Sequence, residues 1–295
     1  MRDGMNGVLI LDKPSGCTSH DLVFRARKVL GENYIGHLGT LDPLATGVLP
    51  MIVGGAARLA EFVPSGKAYE ATCLLDRFTT TDDIKGETLP LEACASPDEA
   101  AIRAACLSLR DIREQIPPMV SAVKVDGKKL YQLARKGKTV ERAARPVEIK
   151  SIEVLSAAFP RVVFRVECTA GTYVRSLCRT LGEKLGTGGC LETLRRTAAG
   201  PFGLDEALTW EKFEAYLREG KSVLLPTVRL VQHLPQITLT EKLCEEIFHG
   251  RMPDAPAGAT EGWTVLLNPA GRIASMAMVE KGFIYPKKVF EKDGI

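Results

Sequence analysis

The sequence predicts an α+β fold: a mixed, largely antiparallel sheet flanked by helices, followed by a small β-rich unit. Three observations predict it. Apolar patterns of period two and of period 3.6 are interspersed along the chain without the regular βαβ rhythm of a parallel sheet. A hydrophobic content of 45% in 295 residues is enough for a large core and a smaller one beside it. Composition shifts near Pro226, beyond which short apolar strands, a Pro/Gly/Ala-rich loop and a hairpin follow one another. The expected division is a unit over 1–225 and a second over 226–295.

Element by element, Val8 to Leu11 reads as a short strand entering the Lys13-Pro14-Ser15-Gly16 turn. Thr18 or Ser19 then caps a helix whose apolar positions Leu22, Val23, Ala26, Val29 and Leu30 share one face, and Gly31 stops it. Gly47 to Val53 reads as a buried strand and Ala56 to Val63 as a short helix ended by Pro64. Tyr69, Ala71, Cys73 and Leu75 alternate with Glu70, Thr72 and Leu74, a strand with one more polar face. Ser96-Pro97-Asp98-Glu99 has the form of a capping box, opening a helix to about Leu109. Val147 to Val154 and Arg161 to Cys168 read as strands, and Thr172 to Leu185 as a helix closed by Gly186. Past Pro226 the pattern gives a helix (Glu241 to His249) and three strands, Trp263 to Leu267, Arg272 to Val279 and Phe283 to Phe290. Asn268-Pro269-Ala270-Gly271 joins the first two as a hairpin.

Composition narrows the function. A net charge of +3 means that a polyanion would be met by local patches, not by a global field. The eight cysteines form no C-x-x-C pair and lie mostly in apolar runs, as reduced thiols do in the cytosol. The four histidines have no metal-ligand spacing. No leader pattern opens the chain and no apolar run is long enough to span a bilayer, so a soluble cytoplasmic protein is expected.

Four segments carry candidate chemistry. GHLGTLDPLATGVLP (36–50) sets one carboxylate, Asp42, among three glycines, two prolines and five large apolar residues. That is a loop packed against something, and Pro43 biases Asp42 away from the α region. An ordinary Asp-Pro turn would look the same in isolation. Lys67 and Tyr69 stand two apart at the head of a strand and so share a face. In RFTTTDDIKG (77–86), Asp82 and Asp83 read as parts of a hydrogen-bonded turn, since adjacent carboxylates on an extended chain diverge and no third metal ligand is near. Gly171 to Arg175 hands a strand to a helix and puts Arg175 near the helix N-terminus, where a cation is disfavoured unless a carboxylate holds it. Basic charge gathers between Lys124 and Arg145, where Lys124, Lys128, Lys129, Arg135, Lys136, Lys138, Arg142 and Arg145 face only Asp126 and Glu141. Interleaved with Tyr131, Gly127 and Gly137, they describe an adaptable arm for a phosphate backbone. Arg175, Arg179, Arg195 and Arg196 are expected to extend that basic character.

Taken together, these segments resemble the TruB family of pseudouridine synthases. The resemblance runs through GHLGTLDPLATGVLP (36–50), KAYEAT (67–72), TTTDDIKG (79–86), IPPMVSAVKVDGKKLYQLARKG (116–137), RPVEI (145–149), CTAGTYVRSL (168–177) and LRRTAAGPF (194–202). Seven collinear blocks are a specific signal where a lone Leu-Asp-Pro would not be. The resemblance implies isomerisation of the uridine at position 55 in the T loop of tRNA, by cleavage of the glycosidic bond, rotation of the base and rejoining through C5. It implies Asp42 as the catalytic carboxylate, Tyr69 as the tyrosine that stacks on the flipped uracil, and Arg175 as the partner of Asp42. His37 matches a histidine that helps displace the base, Tyr173 a substrate-contacting tyrosine, and Leu194 an apolar wall of the pocket. Lys67, Lys124, Lys128, Lys129 and Arg135 are expected RNA contacts, the last four on an insertion spanning about 117–146. The C-terminal unit resembles a PUA-like domain. No metal or organic cofactor is implied, and the expected partner is the tRNA T stem-loop, bound by a monomer. In the family pattern G-x-x-T-D-T-x-D, this chain has Asp76 and Thr80 in place of the glycine and an aspartate.

Two other functions fit less of the sequence. A non-catalytic RNA-binding module has no need of a carboxylate facing phosphates. A phosphotransferase needs Gly-Lys-Ser/Thr after its glycine-rich loop, and none follows here.

Overall fold

The computed structural model describes residues 5–91, 96–121, 123–125, 127–134, 136–290 and 293–295. Its elements in order are β1 (Gly7–Lys13), α1 (Ser19–Leu30), β2 (Ile35–His37), β3 (Thr46–Val53), β4 (Lys67–Leu74), α2 (Glu99–Leu107), β5 (Glu114–Gln115), β6 (Lys124–Val125), β7 (Lys128–Lys129), α3 (Leu130–Ala134), β8 (Arg145–Pro146), β9 (Ile149–Ala158), β10 (Arg161–Cys168), α4 (Val174–Leu185), β11 (Cys190–Ala199), β12 (Phe202–Gly203), α5 (Trp210–Arg218), β13 (Gln236–Thr238), α6 (Glu241–Phe248), β14 (Gly262–Leu267), β15 (Ile273–Glu280) and β16 (Phe283–Val289). Among the described residues, no helix is long and apolar enough to cross a membrane.

One eight-stranded sheet runs β1-β3-β11-β4-β10-β9, with β2 on β3 and β12 on β11. Every pairing in it is antiparallel except β11 on β3, where Arg195 and Arg196 pair in parallel with Thr46 and Gly47. β1 and β3 are buried on both faces, as alternation dictates. Leu9, Leu11, Leu49 and Met51 face α1 and α5, while Val8, Ile10, Val48 and Ile52 share a core with Val265, Ile273, Met276 and Phe290 of the second sheet. That second sheet, β13-β14-β15-β16, fits the β-rich PUA-like unit that the resemblance implied. Helices α2 and α4 cover one face of β4, β10 and β11 around Ala71, Cys73, Val162 and Phe164.

Local chemistry explains most boundaries. Thr18 and Asp21 form a reciprocal capping box on α1, and Gly31 ends it in the left-handed conformation at φ 66°. Elsewhere the chain departs from its sequence pattern. Gly54–Phe62 is a 3₁₀ segment, not an α-helix. Asp98, not Ser96, caps α2, its carboxylate accepting from the Ala101 N–H at 2.7 Å. α4 starts at Val174, because the Tyr173 backbone is already held by Gln115: Tyr173 N–H donates to Gln115 Oε1 at 2.8 Å and Gln115 Nε2 donates to the Tyr173 carbonyl at 3.3 Å. β11 and α5 carry no strand or helix reading from the sequence at all. β5 pairs with β8, so the basic insertion is pinched at its root by a two-stranded ladder.

Candidate active site

The loop from β2 to β3 holds Asp42 by bonds that its own residues do not supply. A turn closes it locally, with Ala45 N–H donating to the Asp42 carbonyl at 3.0 Å across Pro43. Two buried cations then brace it from opposite sides. The Lys13 ammonium, at the end of β1, donates to the carbonyls of Ala45 (2.7 Å), Pro14 (2.9 Å) and Pro43 (3.3 Å). Arg196, in the middle of β11, donates to the carbonyls of Val48 (2.7 Å), Gly39 (3.1 Å) and Thr40 (3.4 Å). Both side chains are 0% exposed. Burial lowers the pKa of each, that of Lys13 in spite of the nearby Asp42 charge. Ser19 adds a third brace, its hydroxyl accepting from Leu41 N–H at 2.8 Å.

At the tip of this loop the Asp42 carboxylate meets Arg175 from the first turn of α4. Arg175 Nη2 donates to Asp42 Oδ1 at 3.3 Å, and Nε stands 2.8 Å from Oδ2 but outside hydrogen-bond alignment, so the fork is closed by charge more than by geometry. The guanidinium is itself fixed, donating to the carbonyls of Val120 (2.8 Å) and Thr81 (3.0 Å). Asp83 approaches it from behind, 3.9 Å from Nη1. Arg175 is 2% exposed, whereas the Asp42 side chain keeps 32% of its surface open toward the cavity. Burial pushes the Asp42 carboxyl above the usual aspartate range; Arg175 opposes that shift, the Asp83 charge adds to it, and Lys13 pulls back.

The carboxylate opens into a cavity of about 220 Å³ that Lys67, Tyr69, Tyr173, Arg175 and Leu194 also line. Alternation along β4 and its antiparallel register with β11 bring Lys67, Tyr69 and Leu194 to one face: Tyr69 lies opposite Arg196, and Ala71 opposite Leu194. Tyr69 is 6% exposed. Burial drives its phenol up to about 12, the Arg196 guanidinium opposing the shift, so it is neutral at physiological pH. Burial and the Arg196 charge lower the pKa of Lys67.

Asp42, Lys67, Tyr69, Tyr173, Arg175 and Leu194 thus converge as the sequence suggested. His37 ends β2 beside the cavity without lining it. Burial lowers its pKa, with Arg196, His20 and Lys67 adding to the effect, and its Nδ1 has no partner among the described residues. Of the arm residues, Lys128 is exposed, Lys124 and Lys129 lie in the short ladder β6–β7, and Arg135 lies outside the described residues. Asp82 and Asp83 form the expected turn: Thr81 Oγ1 and Lys85 N–H donate to Asp83 Oδ1, while Asp82 takes Arg179 at 3.0 Å. Asp76 turns aside to Arg77 (2.8 Å) and Thr80 bonds within the loop, so neither reaches Asp42.

One expectation is corrected. Arg175, Arg179, Arg195 and Arg196 do not extend a basic surface. Arg175 and Arg196 are interior, Arg179 is bound to Asp82 and Glu183, and Arg195 to Asp12 at 2.7 Å. Sequence reasoning also missed Lys13, Arg196, Asp83 and Gln115. Lys13 stood in a turn motif that looked complete, and Arg196 looked like surface charge beside Arg195. Only strand alternation, which sends neighbouring side chains to opposite faces, could have separated the two arginines.

Comparison with known proteins identifies the family. Residues 27–174 match the family model described as TruB family pseudouridylate synthase, N-terminal domain, and residues 175–232 match the tRNA pseudouridylate synthase B C-terminal domain. The chain is 39% identical to tRNA pseudouridine synthase B of Trichormus variabilis over 97% of its length and 99% of that relative. It is 45% identical to the protein of the same name from Alkaliphilus oremlandii over 83% of this chain and 82% of that one. Among solved structures it is similar to a chain of a Cbf5-Nop10-Gar1 complex, with a TM-score of 0.73 and 28% identity over 97% of this chain and 85% of the other. A braced carboxylate, its buried arginine and a tyrosine shelf on one sheet face are therefore found in a chain that belongs to the TruB family of pseudouridylate synthases.

Proposed function

We propose that this chain isomerises a uridine of tRNA, the T-loop uridine at position 55, to pseudouridine, with Asp42 as the catalytic carboxylate. The observation that carries the reading is the placement of Asp42: a carboxylate fixed by a braced loop, paired with an interior arginine, and lining a cavity that a neutral tyrosine also lines. Relatives named tRNA pseudouridine synthase B support tRNA as the substrate.

The chemistry is an isomerisation. The C1′–N1 bond breaks, the uracil turns, and a C1′–C5 bond forms as the proton leaves C5 and N1 gains one. No external reactant is consumed. Both routes open to a carboxylate, attack at C1′ or removal of a sugar proton, need it ionised and short of water; burial in the loop limits water, and Arg175 and Lys13 oppose the upward shift that burial brings. Arg175 holds the carboxylate in place and favours its charged form. Tyr69 stacks on the extruded base and can pass the C5 proton through its hydroxyl, with Leu194 as an apolar wall of the pocket and Tyr173 beside it. His37 and Lys67 stand where the displaced nucleotide enters. Extrusion of a base costs a few kcal/mol, and aromatic stacking returns about 1–3 kcal/mol, so an unpaired loop uridine is an accessible target. The arm between β5 and β8 grips the T stem-loop, and the enzyme works as a single chain.

The test is pseudouridine mapping in unmodified tRNA incubated with the purified chain in chelator. Conversion at position 55 is expected for the wild type. Asp42→Asn is expected to make no product while keeping tRNA affinity within about tenfold, roughly 1.4 kcal/mol. Product formation by Asp42→Asn would refute the assignment.

A further inference from the structure

One atom of the cavity wall is not used by the chemistry above. Ser121 is 6% exposed, it is one of the residues lining the cavity, and its buried Oγ makes no hydrogen bond among the described residues. Buried hydroxyls are almost always bonded, because leaving one unmade forfeits its hydration without return. Thr172 Oγ1 on the same wall is similarly unbonded, but it has the Cys168 thiol as a neighbour. Ser121 is the cleaner case.

Its backbone is held on both sides. The preceding carbonyl, of Val120, accepts from Arg175 Nη2 at 2.8 Å, the same nitrogen that donates to Asp42 Oδ1 at 3.3 Å. The Ser121 carbonyl accepts from Tyr131 N–H at 3.0 Å. Ser121 is therefore fixed in the wall of the cavity that the carboxylate–arginine pair also lines, where the sugar of an extruded nucleotide has to lie if Asp42 is to reach it. A serine hydroxyl offers one donor and two acceptor sites and no charge.

We infer that Ser121 contacts the substrate directly, hydrogen-bonding an oxygen of the extruded nucleotide and orienting it before Asp42. The oxygen is the ribose 2′-hydroxyl or a carbonyl of the base. The inference rests on the proposed function above.

Ser121→Ala removes the hydroxyl without breaking any internal bond of the described structure. A purely structural serine would lower Tm when removed; this one is expected to leave Tm unchanged or raise it. The readout is the single-turnover rate on T stem-loop RNA carrying uridine or 2′-deoxyuridine at the target position. On the uridine RNA, Ser121→Ala is expected to be about five- to tenfold slower than wild type, the worth of one net hydrogen bond. If the defect vanishes on 2′-deoxyuridine RNA, the partner is the sugar; if it persists, the partner is the base. A variant that keeps within about twofold of wild type on uridine RNA, or whose loss of rate tracks a loss of Tm, overturns the inference. A wild-type chain that makes no pseudouridine would instead overturn the proposed function, so the two failures are read separately.

Discussion

The pair Asp83 and Asp42 sets the electrostatics of the cavity through one shared guanidinium. Arg175 stands between them, close to Asp42 and 3.9 Å from Asp83. Burial raises the Asp42 pKa above its usual 3.8 and the Asp83 charge reinforces the shift, so the ionised form that the proposed chemistry requires is lost as pH falls through that raised value. The acid limb of kcat/KM is expected to sit above the range of an ordinary aspartate. Asp83→Asn keeps an Oδ1 acceptor for Thr81 and Lys85 but removes the charge, and is expected to move the acid limb to lower pH. A pH–rate profile that does not move, or moves upward, would contradict this coupling. At this scale the sequence was partly legible. Asp42, Tyr69 and Arg175 could be paired because each belonged to a block with a recognisable resemblance. Asp83 could not, since its role depends on which way a turn with φ 59° at Asp82 aims the next side chain.

Strands and loops decide whether those residues meet. β11 was illegible because Arg195 and Arg196 interrupt its apolar run, yet it occupies the centre of the sheet. One arginine goes to Asp12 on the outside and the other to the carbonyls of Gly39, Thr40 and Val48 inside, so a pattern based on hydrophobicity finds neither face. β1, β3 and β4 were legible for the opposite reason, as unbroken or cleanly alternating runs. The parallel contact between β11 and β3 is as close as two backbones allow at Gly47. Its φ is 105°, and a Cβ there would stand 2.2 Å from the Arg196 carbonyl oxygen. Gly47→Ala is expected to force these strands apart, costing about 1–3 kcal/mol from backbone strain alone and releasing the Asp42 loop. Thermal unfolding together with single-turnover rates checks it; a variant with wild-type Tm and rate would show that the close approach is not needed.

Across the whole molecule, one apolar core joins the two sheets. Val8, Ile10 and Val48 share it with Val265, Met276 and Phe290, and Phe62 meets the Trp263 ring edge-on at 4.7 Å. The resemblance located the second sheet, but this shared core was not legible, because it needs the register of strands more than two hundred residues apart in the chain. Charge is distributed unevenly over this frame. Lys128, Lys136 and Lys138 on the arm are exposed, whereas several of the arginines elsewhere are committed internally or to acids. Removing all three lysines is expected to weaken tRNA binding and to reduce the slope of log Kd against log salt by up to about 0.7–0.9 for each phosphate no longer neutralised. Binding isotherms at several salt concentrations measure it, and an unaltered slope would take the arm out of the interface.

The bonds from Arg196 to Gly39 and Thr40 span 157 and 156 positions of the chain. During synthesis the N-terminal half therefore leaves the ribosome with the Asp42 loop held by its Lys13 and Ser19 contacts, and the Arg196 bonds are added once the codons for β11 have been translated and that strand has slotted into the middle of the sheet. A chain truncated before β11 carries Asp42 on a loop that lacks the Arg196 half of its bracing.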